Sequence, residues 1–531
     1  MQSFLAGTLT LAAAAVIARL LGVVPKVVLP RTVGMDVLGL YQLAYPVLVF
    51  LATVARFGMH VAVSGRVAEA MAAGRPEAVP RLIRAALGFS LSVAVLLALG
   101  LAGLAPVLAA RIYLDPRLAW PLWGLAPAVP IIAAATIFRA LFQGLGDMRP
   151  PAVGAVVETV VRVALALVLS AAFLPYGAEA AAFGLAVSIA LGEIAGLGPL
   201  LWRLRLTPLG RRPKRPARPP ERPAGRPERP ANGPPADGSA FFHLWRIAYP
   251  VGLSGLVGAL AYALEPGFVA HSFRAAGMEP EAASRAYGML SGLAIFVLYF
   301  PTTLTYSLST SLIPAISALR EQKKPAAIHR RLDQSARMTA LIAFPTAAFV
   351  FLFAEPLSGL LFGAEDVAPL LSVLAPFAPF LYFQGPLGAA LQGLGWMRLT
   401  FWHTVAGATA KLLLIAALAR QPELGVLGVA WALNGSLALV TLLHAGQLRR
   451  RIGWGPKGRD LVPALLAAGA AFLIARAFLY PALAGLGAPA AFLAASFGGF
   501  VLYGAFLWPS GGVGPDDVRR LAAAFTGRKA G

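Results

Sequence analysis

Residues 143–149 read QGLGDMR and residues 392–398 read QGLGWMR, 249 positions further along the chain. The same offset pairs Ala126-Pro127 with Ala375-Pro376, Pro130 with Pro379, Gly39 with Gly288, Leu108 with Leu357, Ile112 with Leu361 and Leu125 with Leu374. Matches holding one register over more than a hundred residues indicate a duplication. Each copy carries six apolar runs. An even number sends both copies into a bilayer in the same sense, which is a parallel repeat about an axis along the membrane normal.

The chain outside these matches says why a bilayer is required. Of 531 residues 58% are hydrophobic and 13% charged, against about 25% charged in ordinary soluble domains. Runs of about 20 apolar residues, the length that crosses a ~30 Å hydrocarbon core, recur from end to end. Fourteen can be counted, the second over 37–60 and the eighth over 284–310, and the expected fold is an all-α polytopic membrane protein of about 14 transmembrane helices. Two six-helix lobes are expected over 1–202 and 241–450. Two extra C-terminal helices and a cytoplasmic tail follow in 451–531. The first run, Leu5 to Val24, has no basic residue ahead of it, and we read it as a retained helix. Pro46, Pro127, Pro130, Pro301 and Pro379 fall inside spans and predict kinks.

Between the lobes, residues 203–240 differ in kind. They include RRPKRPARPPERPAGRPERP and hold ten Arg and Lys with almost no large apolar side chain. Such a stretch cannot bury a core, and we read it as a solvated basic linker rather than a nucleic-acid or partner-binding arm.

The net charge of +22 sits mostly between spans, which points to topology and anionic membrane lipids instead of nucleic acid. Basic residues crowd 61–85, the linker, 311–334, 448–459 and the tail. Lys26, Arg31, Arg111, Arg117, Arg274, Arg285 and Arg420 are expected in the sparser loops of the other side. The positive-inside rule then places both termini in the cytoplasm. Cysteine is absent, which excludes disulfides and thiolate metal sites. No Walker A loop, metal-ligand cluster, nucleophile elbow or dinucleotide fingerprint appears. No cofactor and no catalysis are expected.

What remains is charge within the spans, which costs several kcal/mol per group unless paired or hydrated. The candidates are Arg19, Arg56, Glu158, Arg162, Glu193, Glu265, Lys411 and Arg476, with Arg139 near a cytoplasmic end. Arg162 and Lys411 are themselves 249 apart, about 16 Å of helix rise from the cytoplasmic starts of their spans. Facing a common cleft, they would form a symmetric anion-binding pair. Alternatively, Arg162 pairs with Glu158 four residues earlier, whereas Lys411 has Gly407 at that position. Arg19 lies mid-span, and Arg56 lies about one turn from the inner end of the second span, where it could snorkel. Glu193 is either a proton or cation site or the partner of an arginine. Glu265 precedes Pro266 near an outer end, and Arg476 on the extra pair reads as structural. The basic excess favours an anionic substrate.

At this point the sequence resembles a known family. FLAGTLTL (4–11), RLLG (19–22), GLYQLAYP (39–46), VAVSGRVAEA (61–70), RALFQGLGDMRPPA (139–152), YSLSTSLIPAIS (306–317), YFQGPLGAALQGL (382–394) and VTLLHA (440–445) are similar to the stage V sporulation protein B family of bacterial polysaccharide exporters. That family lies within the multidrug/oligosaccharidyl-lipid/polysaccharide flippase superfamily, whose lipid II flippases have fourteen helices around a cationic cavity. The resemblance implies a flippase of the bacterial cell membrane for an undecaprenyl-pyrophosphate-linked cell-wall precursor. By position it adds Arg19 and Arg56 to a cationic cleft with Arg162 and Lys411, with Glu158, Glu193 and Glu265 as coupling or pairing acids. A coupling ion, H+ or Na+, is expected in place of a nucleotide. A cation-coupled drug antiporter of the same superfamily, with acids in command of the cleft, and a non-transporting cell-wall scaffold are the alternatives.

Overall fold

The computed structural model describes residues 2–207 and 237–508. Most of the linker, 208–236, and the tail from 509 lie outside the described residues. The described flanks of the linker are helical: the sixth span runs to Leu206 and the next helix starts at Asp237.

Among the described residues, fourteen helical segments are long and apolar enough to cross a membrane. They match the expected runs one for one, with shifted ends. The first candidate span, Ala13–Thr32, continues beyond a turn at Gly22. Lys26 and Arg31 therefore lie on a helix, not in the loop the charge pattern suggested. Proline marks helix starts more often than kinks. Pro127, Pro301 and Pro379 sit at or beside breaks where a new helix begins, and Pro130 is in a first turn. There its missing N–H costs nothing, since the first four N–H groups have no intrahelical partner. Pro46 lies in a helix interior.

The second span of each repeat is interrupted. In the first, Met35–Arg56 ends at Phe57 in the left-handed region, Gly58 follows at φ +75°, and a helix resumes over Met59–Ala72. Only glycine fits there, because a Cβ at Gly58 would overlap the carbonyl of Ala248 as well as demand a left-handed backbone. In the second, Pro280–Tyr287, a π turn over Gly288–Ala294 and Ile295–Tyr299 precede a break at Pro301 and the helix Thr302–Glu321. The single run expected at 284–310 is thus a chain of shorter helices. The second span, expected to end at 60, continues helical to Ala72.

The residues divide into two compact units, the first within Met1–His271 and Glu279–Gly288, the second within Ser272–Met278 and Met289–Gly531. The seventh span clusters with the first unit. Trp245 stacks on Phe57 at 5.3 Å and 13°, and Phe89 closes on Trp245 edge-on. The core of the first unit is rich in alanine around Leu48, Leu122 and Val129, which lets helices approach closely. In the second unit the two helices outside the duplication dock on the ninth span. Ala464, Ala468 and Ala471 pack with Ala340, Tyr503 and Leu507. Arg476 pairs with Glu355 at 3.2 Å and lies 5.0 Å over the Tyr480 ring.

Candidate functional site: a cationic cavity in the first unit

The fifth span (Arg149–Tyr176) and the sixth (Ala178–Leu206) are pressed together by glycine. A Cβ at Gly192 would lie 2.7 Å from the Cβ of Arg162, and one at Gly196 2.8 Å from the Cβ of Glu158. Gly192-x-x-x-Gly196 is the small-residue spacing that brings membrane helices into backbone contact.

That approach assembles a buried charge network. Arg139, from the fourth span (Pro116–Gly144), donates through Nη2 to Glu158 Oε2 at 2.7 Å and to Glu193 Oε2 at 2.9 Å. Arg162 Nη1 donates to the other oxygen of Glu158 at 3.1 Å. Two guanidinium groups balance two carboxylates. Glu158 and Glu193 are buried, so both need these partners, because a carboxylate stranded in hydrocarbon costs several kcal/mol. The i, i+4 pairing of Arg162 with Glu158 is therefore realised, and Glu193 is an arginine's partner. Arg139 holds the network together. The sequence puts it near a helix end, outside the expected cationic site; the signal that points to it is Gly192/Gly196, which forces the acid-bearing helices together.

Arg162 has a second face. It lines a cavity of about 260 Å³ with Lys26, Tyr41, Gln42, Tyr45 and Ser188. No carboxylate lines this cavity, and Lys26 makes no salt bridge among the described residues. Two cations, two phenols, an amide and a hydroxyl face one space, an array of donors suited to an oxyanion. An expected end near residue 25 puts Lys26 outside the first span, which hides it as a lining residue. Tyr41, Gln42 and Tyr45 lie inside the GLYQLAYP stretch quoted for the family likeness, although nothing in their spacing marks them as lining.

The other candidates sit elsewhere. Arg19 is half-buried one turn before the cavity-lining Gly22 and does not itself line the cavity. Arg56 ends the helix at the Phe57–Gly58 break and donates to Thr53 Oγ1 at 3.2 Å. A 14-residue helix continues beyond it, so it is not one turn from the inner end as expected. A cation at a helix C-terminus is favoured by the helix dipole. Glu265 is buried and accepts from the Tyr287 hydroxyl at 3.3 Å. Lys411 is half-buried on Met397–Leu418 in the second unit. Neither Glu193 nor Glu265 is the open acid that a drug-cation site needs.

The second unit holds an apolar groove of about 570 Å³, walled by Phe344, Phe351, Phe383, Leu387, Leu461 and Leu465 among others. The thirteenth span (Leu461–Ala482), outside the duplication, forms one side of it.

Comparison with known proteins agrees with the membrane fold and the family likeness. The profile described as "Polysaccharide biosynthesis protein" matches residues 4–216, and the MatE profile matches 286–416. Stage V sporulation protein B of Bacillus subtilis (strain 168) is 37% identical over 453 residues, covering 85% of this chain and 84% of the relative. Lipid II flippase MurJ of the same organism is 25% identical over 477 residues, covering 84% of each. Among solved structures, lipid II flippase MurJ in an inward closed conformation superposes with a TM-score of 0.68 at 14% identity, covering 93% of this chain and 97% of that one. An inward-facing multidrug resistance MATE family transporter gives 0.61 at 17%, covering 82% and 94%. At these identities the structural likeness shows the fold alone.

Proposed function

The chain belongs to the stage V sporulation protein B family, and from that membership we propose that it flips a lipid-linked cell-wall precursor across the membrane by alternating access. The cargo is an undecaprenyl-pyrophosphate-linked glycan, lipid II-like or a polysaccharide unit, moved from the inner to the outer leaflet of the bacterial cell membrane with both termini cytoplasmic. The observation that carries the cargo class is the cavity shared by Lys26 and Arg162, which presents cations and neutral donors without a lining acid.

In this reading the pyrophosphate sits against Lys26 and Arg162, with the Tyr41 and Tyr45 hydroxyls and the Gln42 amide as further donors. Charge-assisted bonds to phosphate oxygens are the strong class, and a site poor in water strengthens them. The Glu158–Arg139–Glu193 network fixes Arg162 by one nitrogen and leaves the rest of its guanidinium for cargo. Arg19 and Arg56 line the approach to the cavity, and Lys411 supplies the corresponding positive charge in the second unit. The apolar groove of the second unit, beside the thirteenth span, is of a kind that takes a polyprenyl chain, which gives the two added helices a purpose. Drive comes from an ion gradient, the membrane potential or consumption of the product.

The test is flipping of a fluorescent undecaprenyl-pyrophosphate-linked saccharide in reconstituted vesicles. Lys26→Gln/Arg162→Gln is expected to lower the rate at least tenfold, with the protein still monodisperse. An unchanged rate would overturn the cavity's role.

A further inference from the structure

The duplication allows the two copies to be compared helix by helix, and they differ where the first is most charged. At the 249 offset, Arg139 and Glu158 correspond to Gly388 and Gly407. In the last helix of each repeat the register shifts to 244: Gly184 meets the Leu169 carbonyl as Gly428 meets that of Leu418, and Glu193 then corresponds to Leu437. Among the described residues the second unit therefore lacks the ionic network that ties these three helices together in the first.

In its place lies a pair of histidines. His403 on the eleventh span (Met397–Leu418) and His444 on the twelfth (Gly425–Ile452) meet edge to face, ring centroids 5.0 Å apart at 70°. His444 is 2% exposed. Both of its ring nitrogens, Nδ1 of His403 and Oγ1 of Thr400 are buried without a hydrogen-bond partner among the described residues. Gly388 closes the site, since a Cβ there would lie 3.9 Å from the His444 ring and from Thr400. Packing does not require this polarity. The first-unit counterpart of His403 is Gly154, whose Cβ would lie 3.7 Å from Leu200 Cγ, a contact made without any polar side chain.

Four unpartnered polar atoms of the kinds that hold protons, buried in one place, point to a ligand rather than to structure. Imidazole is the side chain whose ordinary titration falls between about pH 5 and 8. The titratable and charged groups on the three helices that meet here are Tyr382, Arg398, Lys411, Arg449, Arg450 and Arg451, with Glu365 and Asp366 at the distant start of the tenth span (Glu365–Gly393). Tyr382 is turned to the carbonyl of Leu298 at 2.9 Å, and Arg451 lies over the Trp396 ring at 5.0 Å. The acids at the start of the tenth span are more than twenty residues, about 30 Å of helix rise, from Gly388. A proton on the His444 ring is thus a buried cation without an acid nearby on these helices, at a cost of several kcal/mol. It becomes affordable when the helices part and admit water, so the protonated form and the loosened form go together.

We propose that His403 and His444 form a proton-binding site in the second unit, and that the proton taken there is the ion coupled to cargo movement. The second clause rests on the flippase reading; the first does not. As pH falls through the imidazole range, the tenth, eleventh and twelfth spans loosen around the pair.

Two measurements on the full chain separate these clauses. Hydrogen exchange in lipid nanodiscs, corrected for the intrinsic pH dependence of the chemical rate, reads the site without transport. Protection over 383–404 and 438–447 is expected to fall at least tenfold between pH 8 and 5, and to stay level in His403→Gln/His444→Gln. Equal behaviour of variant and parent, or no change in the parent, would overturn the site. If the double variant does not stay monodisperse, His403→Gln, at the half-exposed ring, is read in its place by the same criterion. In vesicles, an imposed gradient of about two pH units is expected to change the parent's flipping rate at least fivefold and the variant's less than twofold. A variant that keeps the parent's gradient response, or a flipping parent that shows none, would overturn the coupling. No flipping by the parent under any gradient overturns the flippase reading and with it the coupling, while the exchange result still decides the site.

Discussion

Replacing Arg139 by glutamine removes both hydrogen bonds that hold Glu158 and Glu193 together. The two carboxylates have side chains only 11% and 9% exposed. Glu158 keeps Arg162 at 3.1 Å, whereas the ion pair of Glu193 with Arg139 is lost. Breaking a buried pair by removing one partner costs about 3–5 kcal/mol. Because one of the two acids retains a cation, Arg139→Gln is expected at about 3 kcal/mol, the lower end of that range. Glu193→Gln leaves Arg139 on Glu158 and keeps an acceptor, so about 1–2 kcal/mol is expected. The double variant Arg139→Gln/Glu193→Gln restores local charge balance, with Arg162 facing Glu158. It should lose about 2–3 kcal/mol, less than the sum of the singles, which gives a coupling of about 2 kcal/mol. The assay is reversible unfolding in a detergent titration, followed by tryptophan fluorescence. Additivity within about 0.5 kcal/mol would refute the network as the clamp of these helices.

Other outcomes follow from single contacts. Gly196→Leu, which drives a side chain into Glu158, is expected to abolish folding or lower stability by about 3 kcal/mol, whereas Gly198→Leu, with nothing within 4 Å of its Cβ, should be neutral in the same titration. Gly58→Ala combines a left-handed backbone with overlap on the Ala248 carbonyl and is expected to cost well over the ~1 kcal/mol of backbone strain that Gly74→Ala, open around its Cβ at φ +67°, pays alone. Gly469→Trp fills the apolar groove and is expected to slow flipping of a fifty-five-carbon polyprenyl cargo severalfold while leaving a short-chain analogue unaffected, as vesicle assays with the two lipids would show.

The membrane fold was legible because hydrophobic length and a fixed repeat offset are properties of the chain itself. Fourteen spans and the duplicated register both follow from counting. Span ends were less legible. The Phe57–Gly58 break depends on the close approach of Ala248, nearly two hundred residues away, and Lys26 joins a helix only because the first span continues past Gly22. Charge could be located but not its partner. Glu158–Arg162 is readable as an i, i+4 pair, yet Arg139 reaches the same carboxylate from another helix, 19 residues back. The cavity's neutral donors Tyr41, Gln42 and Tyr45 carry no periodic signal, since their function depends on what faces them. The seventh span was assigned by the duplication to the second repeat, and contacts of Trp245 and Ala248 cluster it with the first unit.

The most direct test of a pyrophosphate cargo is native mass spectrometry of the purified protein for retained lipids. The parent is expected to carry an undecaprenyl-pyrophosphate species, and Lys26→Gln/Arg162→Gln to lose it while keeping ordinary phospholipids. Equal retention by both proteins would contradict the assignment of the cavity to the cargo's phosphates.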